Sequence, residues 1–230
     1  MLEKSESLFK FQPMPPATPA SLKSAANGVH AAKQVRSRIK YQALLQAGRQ
    51  HLASHDLATL SVARLTRDAG MAVGSFYSRF ADKDAWFAAL LRETGDAVLA
   101  ETQALLAGTR WARAGNERKV ALIVQHVVDI YRSHRGIFRA ALGDRARTEL
   151  FGAPVHAYGV RIADAVHEAL AGQMRQVPPA QRRLRVGIAL QLVHGTLVNA
   201  VLRDPGPIAL DDARMERELT RVFLATVRLG

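Results

Sequence analysis

The chain has 230 residues, 48% of them hydrophobic, and its 32 lysines and arginines outnumber 20 acids to give a formal net charge of +12. Such a chain suits a soluble protein of one or two domains able to bury a real core, and its basic balance favours a polyanionic partner. Cysteine is absent, which excludes a disulfide framework and a thiolate metal site and fits a reducing, cytoplasmic setting.

Residues 1–33 gather Pro13, Pro15, Pro16 and Pro19 among Ala, Ser, Thr and Lys without sustained periodicity, and are expected to form a flexible tail. They lack the continuous apolar run of a secretion signal, so export is not expected. Lys4, Lys10, Lys23 and Lys33 could act as a basic arm in a minor groove; a disordered extension with little function is the alternative. Arg36, Arg38 and Lys40 then open a helix whose apolar positions include Leu44, Leu45, Ala47 and Leu52. His51 and His55 fall four apart near its end with no third ligand beside them, which predicts surface placement and no metal site.

Residues 61–83 carry the strongest signal. Ser61 is a good N-cap, and Val62, Leu65 and Ala69 form one apolar face at helical spacing. Gly70 supplies the left-handed turn that ends the helix. Met71, Phe76 and Phe80 resume the apolar pattern, leaving Ser75, Tyr77, Ser78 and Arg79 for other work. Thr66 sits where the two short helices must approach closely, and Asp82 is an N-cap for the next helix, which opens at Lys83. A helix, a glycine turn and a second helix is the arrangement that delivers a helix into the major groove of DNA.

Residues 38–91 resemble the N-terminal DNA-binding domain of the TetR (tetracycline repressor) family of bacterial transcriptional regulators. The resemblance rests on Ala69-Gly70-Met71, Gly74-Ser75-Phe76-Tyr77, Phe80 and Asp82-Lys83-Asp84. It implies an all-α fold in which a helix-turn-helix domain (34–82) precedes a larger helical domain for effector binding and dimerisation (83–230). Ala72 and Val73 depart from the family, which usually has Ser and often Lys there. Two polar contacts are therefore missing, and Val73 could touch a thymine methyl instead. His51 and Asp56 also depart, at the exit of the first helix. The resemblance and the chemistry together nominate Arg36, Arg38, Ser61, Arg64, Val73, Gly74, Ser75, Tyr77, Ser78, Arg79 and Lys83 for DNA. Tyr77 is placed mostly on phosphate, and Lys83 adds an ammonium at a helix N-terminus. Phe76 and Phe80 are expected in the core. Gly74 either lets the helix approach DNA or lets the preceding helix pack on it.

Beyond residue 83 the pattern is helical throughout, with helices expected at 83–107, 116–134, 136–143, 154–174, 179–203 and 211–228. Pro178-Pro179 and Pro205-Gly206-Pro207 mark the clearest boundaries. Val186–Leu202 has no formal charge but is short for a membrane span and contains Gln191, His194 and Asn199. It is expected to be a helix buried inward against its own domain and outward against a partner subunit. Its companion is the last helix, with Met215, Leu219, Val222, Phe223 and Val227 in a stripe. In the resembling family the last two helices of each subunit build a four-helix dimer interface, which holds two recognition helices at the spacing of a palindrome. Trp111, His126, Tyr131, Phe138, His156, Tyr158, Met174, His194 and Asn199 are the candidates to line an effector pocket, and their mixture points to a bulky, uncharged or weakly polar small molecule. No cofactor is implied. No phosphate loop, nucleophile elbow or zinc-type histidine motif supports an enzyme. The expected function is a ligand-released, palindrome-binding dimeric regulator, a repressor by the usual outcome in the family. The alternatives are an architectural DNA-binding protein with little sequence preference and no effector, or a small-molecule-binding dimer that has lost operator reading.

Overall fold

The computed structural model describes residues 26–143, 145–203 and 207–229. They fall into two units, one ending at Ile39 and one running from Lys40 to the C-terminus. Ten α-helices are found among the described residues: α1 (Ala26–Ser54), α2 (Val62–Asp68), α3 (Val73–Tyr77), α4 (Lys83–Ala107), α5 (Thr109–Ala112), α6 (Asn116–Ser133), α7 (Arg135–Leu142), α8 (Arg145–Leu170), α9 (Pro179–Leu202) and α10 (Ala213–Val227). Short 3-10 turns occupy Leu57–Thr59 and Ala171–Gln173. No strand occurs among the described residues.

Local chemistry accounts for most boundaries. The Ser61 hydroxyl accepts from the Arg64 amide (3.1 Å) and the Asp82 carboxylate from the Ala85 amide (2.7 Å), so α2 and α4 begin where a side chain satisfies an orphan N–H. Gly70 ends α2 at φ +67°, a conformation that costs a residue with a Cβ. Asp212 caps α10 through the Arg214 amide (2.8 Å), which sets its start two residues inside the expected one.

Two expectations need correction. First, α1 begins at Ala26, inside the stretch expected to be a flexible tail over 1–33, because Ala26, Ala31 and Ala32 are strong helix formers. Lys33 is therefore helical, and Lys4, Lys10 and Lys23 lie outside the described residues. Second, α8 begins at Arg145, not 154, and runs through Pro154. Proline removes one helical bond and crowds the preceding turn. The turn before it buries Phe151, whose ring meets Phe87 of α4 edge-on at 4.9 Å, and tertiary packing overrides the local signal.

Two apolar cores result. The first gathers Leu44, Leu45 and Leu52 of α1, Leu65, Phe76 and Phe80, and Trp86, Phe87 and Leu90 of α4. It also takes in Ile137, Ala140 and Ala141 of α7, so it extends beyond the boundary expected at residue 82. The second is built from α4, α6, α8, α9 and α10, with Val124, Val128, Val166, Leu190, Val193, Leu197 and Phe223 among its buried members. Helix α9 alone among the described residues is long and apolar enough to cross a bilayer. One side of it is instead buried in this second core through Val186, Ala189, Leu190, Val193 and Leu197.

Candidate nucleic-acid interface and helical core

The short α3 is oriented by its aromatic residues. Phe76 is fully buried; its ring lies 5.3 Å from Phe80, which in turn stacks against Tyr41 of α1 at 5.8 Å. Burying that side leaves the opposite one outward, where Val73 (43% exposed) and Tyr77 (57% exposed) stand one turn apart. Ala72, Gly74 and Ser78 are exposed on the same short segment, while Ser75 is half-buried. A Cβ placed on Gly74 would meet nothing within 4 Å, so packing of the preceding helix does not require a glycine there. Thr66, expected at a close approach, is buried and returns its hydroxyl to the Val62 carbonyl at 2.9 Å.

The charged candidates differ in how free they are. Arg64 is exposed and bridges Asp68 at 3.4 Å, a pairing weak enough in water to yield to a phosphate. Arg79, just beyond α3, turns back on it, its guanidinium donating to the Ser75 carbonyl (2.8 Å) and the Ser78 hydroxyl (3.0 Å). Lys83 donates to the Leu57 carbonyl at 3.0 Å and so ties the start of α4 to the 57–59 turn. Arg36 and Arg38 are exposed in the unit that ends at Ile39.

Sequence reasoning placed His51 on the surface, but it is 6% exposed. Its Nε2 lies 3.1 Å from the Thr59 hydroxyl, and that hydroxyl donates to the Asp56 carbonyl at 2.8 Å. Since the threonine proton is thus committed, Nε2 must carry the histidine's own proton. Burial holds the imidazole below its ordinary range, with neighbouring His55 and Arg64 adding to the effect. His55 stacks on it from the exposed side, centroids 4.8 Å apart.

Beside this pair α7 docks on the end of α1, a junction that sequence reasoning missed. Gly136 is packed so closely that a Cβ would fall 1.8 Å from the Leu52 carbonyl oxygen. Arg139 donates to the Leu52 carbonyl (3.2 Å) and the His55 carbonyl (3.4 Å), and its Nε lies 3.2 Å from the Asp56 carboxylate. The last carbonyls of α1 thereby gain the partners that a helix C-terminus lacks. A glycine at i and an arginine at i+3 was the only signal available, and it is common to many surface helices.

The effector candidates separate into three groups. Tyr131 of α6 is buried, stacks on Phe138 of α7 at 4.2 Å and 11°, and shares a hydrogen bond with Nδ1 of His194 on α9 at 3.1 Å. Burial alone pushes His194 down to about 4 and the Tyr131 phenol above its usual range, so both are neutral at pH 7. His126 of α6 pairs with the buried Thr102 hydroxyl of α4 at 2.9 Å, and burial lowers its pKa too. Trp111 and Met174 are buried in the same core, with the Lys119 ammonium 5.4 Å above the Trp111 ring. The remaining three lie outside it. His156 is exposed on α8, and Asn199 is exposed on the outer face of α9. Tyr158 locks α8 to α4: its ring lies against Gly95, and its hydroxyl donates to Asp96 (2.7 Å) and lies 3.2 Å from the Arg92 carbonyl. Desolvation, then the Asp96 carboxylate, pushes that phenol up to about 12.

A short helix held outward by two buried phenylalanines, preceded by a glycine turn and followed by a larger helical core, has the architecture of a helix-turn-helix DNA-binding regulator. Residues 44–90 match the family model of the tetR family of bacterial regulatory proteins, and residues 117–225 match that of the tetracyclin repressor-like C-terminal domain. The chain belongs to the TetR family. No curated protein sequence matches it. Solved structures share the fold at low identity. A Mesorhizobium loti protein assigned to TetR-family transcriptional regulators aligns with a TM-score of 0.62 at 15% identity, over 83% of this chain and 97% of its own. FadR of Bacillus subtilis, solved in complex with stearoyl-CoA, aligns at 0.60 and 13% identity, over 81% and 98%. NalD of Pseudomonas aeruginosa, the secondary repressor of the MexAB-OprM multidrug efflux pump, aligns at 0.58 and 19%, over 84% and 98%.

Proposed function

We propose that the chain acts as a cytoplasmic homodimeric repressor that holds a palindromic operator through two copies of α3 and releases it when a small molecule enters the helical core. The observation that carries this reading is the outward face of α3, where Val73, Gly74 and Tyr77 are exposed while Phe76 and Phe80 are buried. Ser61, Arg64, Ser75, Ser78 and Lys83 are assigned contacts to the sugar-phosphate backbone. Support for the dimer comes from α9, whose outer side shows Leu184 (63% exposed), Ile188 (43%) and Leu192 (47%) at one-turn intervals, with Val222 of α10 also exposed. A row of large apolar side chains facing water is the usual mark of an interface.

The effector acts at the Tyr131–Phe138–His194 cluster. All three groups are uncharged at pH 7, so a neutral, largely apolar molecule with one hydrogen-bonding group fits better than an ion, whose desolvation would go uncompensated. Helix α7 carries Phe138 in this cluster and Gly136 and Arg139 on the end of α1. A ligand that separates Phe138 from Tyr131 therefore moves the element that braces the DNA-binding helices, provided it binds the released arrangement more tightly.

The test is a competition between duplexes enriched from a random pool and unselected duplex, run across a salt series with the full chain. A palindromic site preferred by 10³-fold or more at 0.15 M salt is the expected result. A steep salt slope without such preference would favour the architectural alternative.

A further inference from the structure

The five exposed residues of the recognition segment, Ala72, Val73, Gly74, Tyr77 and Ser78, include no amide or guanidinium able to form the paired hydrogen bonds that single out adenine or guanine. Arg79 is engaged with the Ser75 carbonyl and the Ser78 hydroxyl. Ser78 itself donates to the Ser75 carbonyl at 3.0 Å. What reaches outward is a branched apolar side chain, Val73, and one turn later the phenol of Tyr77. Between them Gly74 presents no side chain and has no neighbour within 4 Å of where a Cβ would lie. The segment can therefore come close to another surface, and it would do so with Val73 leading. In the major groove the only methyl group on a base edge is the C5-methyl of thymine.

We infer that α3 selects bases by methyl contact: Val73 buries its isopropyl group against a thymine methyl in each half of the operator. This rests on the reading of α3 as the DNA-contacting helix. The occupant of the exposed apolar tip is thus a thymine of duplex DNA, a partner whose charge complements the net +12 of the chain. Removing one buried methyl group weakens binding about fourfold, and removing one in each half-site about fifteenfold.

The full-length protein is used to enrich a random-sequence duplex library, and the selected duplex is resynthesised with deoxyuridine replacing each symmetry-related pair of thymines in turn. Deoxyuridine keeps every hydrogen-bonding group of thymine and lacks only the methyl. One pair is expected to cost the wild type about fifteenfold in affinity, while Val73→Ala loses less than about twofold from the same replacement. Val73→Thr, which keeps a methyl branch at the same position, retains the discrimination. A selected palindrome indifferent to uracil at every thymine overturns the inference and leaves the DNA-binding reading standing, as does a Val73→Ala protein as methyl-sensitive as its parent. Failure to select any sequence overturns both.

Discussion

Gly74 and His194 show how single positions trade stability against use. Because nothing in the fold occupies the space beside Gly74, Ala at that position relieves the backbone entropy cost of a helical glycine and is expected to stabilise the protein by about 0.5–1 kcal/mol. The same methyl holds the helix away from a duplex. Melting curves should therefore rise as operator affinity falls; a variant that bound as well as its parent would remove Gly74 from the interface. His194 is neutral when folded, with a pKa near 4 against 6.5 in an unfolded chain. Below pH 6.5 the unfolded chain takes up the proton and the folded one does not, so this residue's contribution to stability is complete above 6.5 and is lost as pH falls towards 4. The loss should amount to about 2–3 kcal/mol, with His194→Gln removing that part of the pH dependence in denaturant titrations. An unchanged pH profile in the variant would argue that His194 is solvated.

At the scale of elements, α7 is the joint between the two cores. Its eight residues touch the end of α1 through Gly136 and Arg139, the first core through Ile137, and the second through Phe138. Alanine at 136 would place a carbon against a backbone carbonyl that cannot swing aside, so a loss of about 1–3 kcal/mol is expected, larger than at the open Gly74. Comparing the two glycine variants by thermal melting separates packing from propensity. Equal effects would contradict the tight α1–α7 contact. The spans of α4, α6 and α9 were legible within a residue or so because caps, prolines and a long apolar period all agree there. The start of α8 was not, because Pro154 is a strong local signal and the burial of Phe151 against Phe87 is a fact of another helix.

For the whole molecule, the proposed dimer would join DNA binding to the exposed apolar stripe of α9. Glutamate at both Ile188 and Leu192 puts two charges where the proposed partner helix would cover them. The variant is expected to sediment as a folded monomer, with native helical content by circular dichroism, and to bind a palindrome at least about 100-fold more weakly, since one half-site alone remains. A variant that stayed dimeric would move the interface elsewhere. The uncharged run over 186–202 predicts a helix with an inward and an outward apolar face, and the structure shows its inward face buried and Ile188 and Leu192 exposed on the other. Which of its faces turns inward was not legible, since Val193 and Leu192 are neighbours in sequence and only the packing buries one and exposes the other.

By itself the sequence determined the helical class, the turn at Gly70, the caps at Ser61 and Asp82, and the inward role of Phe76 and Phe80, because each depends on neighbours within a few residues. Only the tertiary structure decided that Lys83 holds the Leu57 carbonyl, that His51 is buried beneath His55, that Tyr131, Phe138 and His194 meet while His156 and Asn199 face solvent, and that α7 braces α1. Those contacts join residues as much as 87 positions apart, as between Arg139 and Leu52. Which side chains come together across such separations is set by how helices pack, and periodicity along one helix carries no record of the face its neighbour presents.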